Sequence, residues 1–276
     1  MVGLCSTLGG CGASASPLAR ATLLSEKGQQ DEAARLLRDY LAKNPRALRE
    51  RQMLVRVEAS RGQLGAAQEQ VAELSKRLGP KSPIPLVELG HALEMAHRYD
   101  DALEAYDAAA AQAPSDPLGP LTGGIRAARW GELELAAPRL QEAVRRSPGD
   151  PAAWHALGLV QLSRGELRLA ERAYRAGLLA DPHALENRVG LATLALKQGD
   201  LAAALVQYDA IVASRPNFAD AQLGRSFALI GLGRFDEARL ALDRASRLGA
   251  SPAVVAKQRR ELARRTSAHP ASAPAP

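Results

Sequence analysis

The chain has 276 residues, 24% of them charged and 4% aromatic, with alanine and leucine the prevailing apolar types. Such a composition supplies a core, favours helix because Ala and Leu lose little freedom there, and carries no alternating apolar pattern, which excludes a β-rich class. The formal charge of +6 comes from Lys, Arg, Asp and Glu interleaved through most of the chain, the mark of solvated helix faces. No run approaches the ~18 apolar residues of a membrane-crossing helix.

Residues 1–13 hold both cysteines, Cys5 and Cys11, so no disulfide framework or metal cluster claims them. Leu8, Gly9, Gly10 and Cys11, followed by the small polar stretch Gly12 to Ser16, resemble the lipobox of bacterial lipoproteins. That resemblance implies cleavage before Cys11, lipidation of Cys11, and a short tether beyond it. Several acyl chains are needed for stable anchoring, because one alone binds marginally. Gly12, in place of an acidic residue, implies the periplasmic face of the outer membrane. Two features depart from a secretory signal: no basic residue precedes the motif, and the apolar stretch from Val2 to Leu8 is broken by Gly3 and Cys5. A cytoplasmic protein with no anchor is therefore the alternative.

From residue 14 onward the sequence repeats. Ala33, Ala67, Ala102, Ala136, Ala170, Ala204 and Ala238 recur at a step of 34, with a single step of 35. Gly28, Gly62, Gly131, Gly165, Gly199 and Gly233 keep the same interval, with His97 in the missing slot, and Pro45, Pro80, Pro114, Pro148, Pro182 and Pro216 close successive segments. Proline ends a helix and pre-sets a turn, while glycine permits positive φ at a helix C-terminus. The alanine is a contact residue that lets helices approach, and Tyr106, Leu140, Tyr174 or Tyr208, four positions later, fills the adjoining gap. The units so delimited are 14–47, 48–82, 83–116, 117–150, 151–184, 185–218 and 219–252.

Unit 151–184, with Trp154, Leu157, Gly158, Gly165, Ala170, Tyr174 and Pro182, resembles the tetratricopeptide repeat family, and 185–218 and 83–116 match nearly as well. The resemblance implies an all-α fold: a right-handed α-solenoid of about seven helix–turn–helix hairpins, their first helices lining a concave groove. Each hairpin buries its apolar face only by stacking on its neighbours. Unit 117–150 departs most, with Pro120, Gly123 and Gly124 in its first helix and Pro138 in its second. A hinge between rigid stacks and a local irregularity absorbed by packing both fit. The segment 253–265, with Lys257, Arg259, Arg260, Arg264 and Arg265 against Glu261, reads as a basic capping helix, and 266–276 as a disordered tail.

No arrangement for chemistry emerges. His91, His97, His155, His183 and His269 form no His-Glu-x-x-His pair, and no phosphate loop or nucleophile elbow is present. An enzyme is not expected, nor a metal, cofactor or small-molecule substrate. Repeats that read RNA need polar groove positions, which argues against nucleic acid here. In the family, ligands touch positions two, five, nine and twelve of each first helix. Those slots hold Leu118, Leu121 and Ile125; His155, Leu159 and Leu162; Val189, Thr193 and Leu196; and Leu223, Phe227 and Ile230. The paired Lys and Asn of a carboxylate clamp are missing, which argues against a C-terminal acidic peptide. The expected partner is a protein or peptide presenting an apolar helix or extended segment. Tether and groove together resemble the tetratricopeptide lipoproteins that act as pilotins or pilus- and secretion-assembly factors.

Overall fold

A computed structural model of the chain describes residues 16–268, which contain fifteen α-helices and no strand. The described residues divide into two compact units at Gly123 and Gly124. Cys11, the Leu8–Cys11 motif and His269 lie outside the described residues.

In the first unit the helices are α1 (Pro17–Glu26), α2 (Gln30–Lys43), α3 (Leu48–Ser60), α4 (Leu64–Leu78), α5 (Ile84–Met95) and α6 (Tyr99–Gln112), followed by the start of α7 (Leu118–Arg129). Ser16 caps α1 by accepting a hydrogen bond from the Ala19 N–H at 3.2 Å, with Pro17 at the first helical position, where a missing N–H costs nothing. Consecutive helices pack as antiparallel neighbours, and first helices also meet, α1 against α3 and α3 against α5. The core runs between them as Ala33, Leu37 and Leu54, then Val55, Ala67 and Leu74. At the α5–α6 turn His97 takes φ of +59°, the left-handed conformation that glycine supplies at the equivalent turns. The turn still closes, with the Arg98 N–H donating to the Leu93 carbonyl at 2.9 Å.

Two buried carboxylates tie this unit together. Glu58, on α3, accepts from Arg38 of α2 at 2.6 Å and from Arg61 at 2.5 Å. Glu88, on α5, accepts from Arg56 of α3 at 2.7 and 2.9 Å and faces His91 Nδ1 at 3.5 Å. Burial alone pushes the Glu88 carboxyl up, but the hydrogen bonds from His91 and Arg56 outweigh it and hold the group below its ordinary value.

The second unit takes in the rest of α7, then α8 (Leu133–Arg146), α9 (Pro151–Ser163), α10 (Leu167–Ala180), α11 (Leu185–Gln198), α12 (Leu201–Ser214), α13 (Ala219–Gly231), α14 (Phe235–Arg247) and α15 (Pro252–Ala268). Ala136, Ala170, Ala204 and Ala238 are wholly buried, as the contact role of the repeated alanine requires. Tyr174 is also wholly buried: its ring lies where a Cβ on either Gly158 of α9 or Gly190 of α11 would come within 2.5 Å. The ring thus occupies the space two glycines leave, one from its own hairpin and one from the next. Asn187 adds a polar stitch, its Nδ2 donating to the Pro151 carbonyl at 2.8 Å.

The irregular residues of 117–150 leave both helices continuous. Pro120 falls in the first turn of α7, where no intrahelical N–H is required, and the exposed Pro138 is carried inside α8. Gly124 is a packing glycine, since a Cβ there would meet the Leu140 side chain at 2.6 Å.

α15 covers the end of the second unit by packing on α13 and α14. It buries Val255 and Leu262, and Gln258 accepts from the Ser226 hydroxyl and donates to the Leu223 carbonyl at 3.3 Å. The expected end at Arg265 is corrected: the helix continues through Thr266 and Ser267, whose hydroxyls donate back to the carbonyls of Leu262 and Ala263 at 2.9–3.0 Å.

Candidate functional site

The first helices α9, α11 and α13 and the second-unit part of α7 each place position nine of the repeat outward. These residues are Ile125, Leu159, Thr193 and Phe227, spaced 34 residues apart. Ile125 is 37% exposed, Leu159 45% and Phe227 50%. The other expected slots are turned further inward. His155 and Leu162 are half-buried, and half-buried Val189 and Leu196 pack on the core cluster. Leu223 and Ile230, 8% and 3% exposed, belong to that core, Ile230 at the base of an opening between α13 and α15. They are covered because α13 has helices packed on several sides, α12, α14 and α15. In the first unit Leu118 and Leu121 are half-buried, and position nine there is polar: Thr22, Arg56 and His91.

Two openings flank the exposed row. One of about 310 Å³ lies between α7 and α9, walled by Ile125, Ala156 and Leu159, with Arg129 at its edge. The other, about 610 Å³, lies between α13 and α15, with Leu201, Phe227, Ile230 and Val254 forming its apolar wall. Both volumes fall in the range, roughly 300–1,000 Å³, of sites that take a ligand or a peptide anchor. Lys257, Arg260, Arg264 and Arg265 rim the larger opening together with Glu261. Sequence reasoning placed these cations in a cap and missed them as part of a site. Their signal was legible, since Lys257, Arg260 and Arg264 follow an i, i+3, i+7 pattern that shares one helix face.

The site's chemistry is that of a contact surface. Burial lowers the pKa of His155, against a weaker opposing pull from Glu186, so the imidazole is neutral at pH 7. Its ring centre lies 6.0 Å from that of Tyr174, whose phenol is pushed up to about 12 by burial. Among the described residues no group of three His, Cys, Asp or Glu is placed to hold a metal ion.

Tetratricopeptide repeat models match residues 53–117, 121–185 and 195–260, more than half of the chain. The chain belongs to the tetratricopeptide repeat family. Its all-α hairpin fold is shared with solved structures at low identity. One is the C-terminal part of a TPR repeat-containing protein from Cytophaga hutchinsonii, with TM-score 0.62, 14% identity, and coverage of 87% of this chain and 98% of that one. Another is YrrB, described as a TPR protein with an unusual peptide-binding site, with TM-score 0.57, 18% identity, and coverage of 70% and 99%. A third is the APC/C hetero-tetramer Cut9–Hcn1, with TM-score 0.56 and 15% identity over 89% of this chain; the tetratricopeptide chain described here spans 48% of its length. No curated protein matches by sequence. The family's fold is a scaffold for protein–protein interaction, with protein or peptide partners.

Proposed function

We propose that this tetratricopeptide protein is a lipid-anchored component of a bacterial envelope, tethered through Cys11 at the periplasmic face of the outer membrane. There it holds an apolar helix or extended segment of a partner during assembly of a pilus or secretion complex. The observation carrying the binding half is position nine of four successive first helices, exposed in all four and apolar in three, Ile125, Leu159 and Phe227, with Thr193 between the last two. A hydrophobic stripe left open on rigid helices is the usual mark of a docking face, and helix-in-groove recognition is read through such regularly spaced anchors. Peptide binding by YrrB is a precedent within the fold. The anchoring half rests on the Leu8-Gly9-Gly10-Cys11 motif alone.

Each half has its own test. Expressed in a Gram-negative host with any upstream sequence included, the wild type gains lipid mass and sediments with membranes, whereas Cys11→Ala remains unmodified and soluble. Two unmodified, soluble proteins would move the function to the cytoplasm. For the groove, Leu159→Asp and Phe227→Asp abolish capture of the partner. Both side chains are about half exposed, so the unfolding free energy falls by only about 1–2 kcal/mol in denaturant titration. A loss of several kcal/mol would place them in the core.

A further inference from the structure

The opening between α13 and α15 combines an apolar wall with a one-sided charge. Phe227 and Val254, 50% and 41% exposed, face it from the two helices, and Leu201 and Ile230 close its base. Above them stand four cations of α15 and one acid. That acid is already committed: Glu261 accepts from Arg264 at 2.8 Å and Arg265 at 2.6 Å, and these bonds hold its carboxyl down at about 2. Lys257 and Arg260 are exposed and have no carboxylate partner among the described residues. Outside the opening, by contrast, Arg259 is neutralised by Asp243 at 2.8 Å. The uncompensated charge of the helix is therefore concentrated at the rim of an apolar cleft.

We infer that this cleft receives an apolar anchor side chain of a partner peptide whose neighbouring residues are Asp or Glu, the anchor lying on Phe227 and Val254 and the carboxylates meeting Lys257 and Arg260. The inference rests on the groove reading above and adds the partner's charge pattern. Recognition here uses side-chain carboxylates on rim cations and needs no clamp for a chain terminus. Rim cations steer encounter and reject partners of the wrong sign, while the desolvated anchor supplies the affinity. An anionic membrane offers the same charge but no anchor side chain to enter the opening and reach Ile230 at its base.

The test is a selection from a displayed random peptide library, about twelve positions long to span a short helix or strand. It is run on the full-length chain and on the Lys257→Glu/Arg260→Glu double variant, with circular dichroism to show that the exposed substitutions leave the helices intact. Wild type enriches aliphatic or aromatic residues beside Asp and Glu, and the double variant enriches them beside Lys and Arg. A selected acidic peptide binds the double variant at least about tenfold more weakly, and its binding to wild type falls as salt rises from about 50 to about 500 mM. Binders that depend on Phe227 but show no acidic preference would overturn this inference and leave the groove reading standing. Binders indifferent to Phe227→Asp, or no binders at all, would overturn both. Sedimentation of the Cys11→Ala protein with phosphatidylglycerol-containing vesicles, lost in the double variant, would reassign the rim to lipid headgroups and overturn the peptide.

Discussion

Tyr174→Ala lowers the unfolding free energy by about 3–5 kcal/mol, the cost of emptying a large aromatic site in a close-packed interior. The full figure applies because the site cannot collapse. The ring is wholly buried, and two of its walls are the bare backbones of Gly158 and Gly190, which have no side chains to move inward. α10 packs on both α9 and α11, so the cavity also weakens the interface that passes stability from one hairpin to the next. Denaturant unfolding followed by circular dichroism measures the loss, and a change below about 1 kcal/mol would show that neighbouring side chains fill the space. Tyr174→Phe separates shape from polarity. The Tyr174 hydroxyl is buried with no hydrogen-bond partner among the described residues, so its removal is neutral or stabilising at pH 7. The pair also differ in alkali. The folded pKa is about 12 against an ordinary value of 10, so the unfolded chain loses the proton first and binds fewer protons between those values. Stability therefore falls as pH rises through that window, and Tyr174→Phe removes this part of the fall.

Glu88→Ala destabilises the first unit by about 2–4 kcal/mol, because removing one member of a buried ion pair strands its partners. The carboxylate is 2% exposed and serves Arg56 and His91 together. Arg56 is itself about half exposed and can turn to water, which keeps the cost below that of a fully enclosed pair. The sign of the pH dependence follows from the depressed carboxyl. The unfolded chain takes up this proton near its ordinary value of 4.5, and the folded chain only below it. The contribution is complete above about pH 4.5 and is lost as pH falls through the folded pKa. Urea titrations of wild type and Glu88→Ala at neutral pH and on stepping down through pH 4 should converge in acid. Parallel curves with an unchanged gap would show that the pair contributes packing alone.

Most of the fold was legible because its signals are local. A helix ends where proline removes a donor or glycine adopts positive φ, and those residues recur with the repeat. His97 shows the same locality from the other side, since a turn fixed by its neighbours forces a non-glycine residue to φ +59°. The irregular unit was harder to read. Pro120 and Gly124 look disruptive in a one-dimensional pattern, yet one sits in a first turn and the other gives way to Leu140. Neither fact is visible without knowing which residue arrives from the facing helix.

The candidate site divides in the same way. Sequence alone determined the class and the repeat interval, because the helix-ending and contact residues recur locally, and the resemblance to the tetratricopeptide family supplied the four positions of each first helix from which a contact surface is drawn. The tertiary structure decided which of those positions stays open. Position nine is exposed at Ile125, Leu159 and Phe227, while Leu223 and Ile230 are covered where further helices pack on α13. It also brought Lys257 and Arg260 of α15 beside Phe227, although about 30 residues separate them in the chain. Exposure depends on the sum of all neighbours around a helix, and a repeat pattern specifies only the nearest of them.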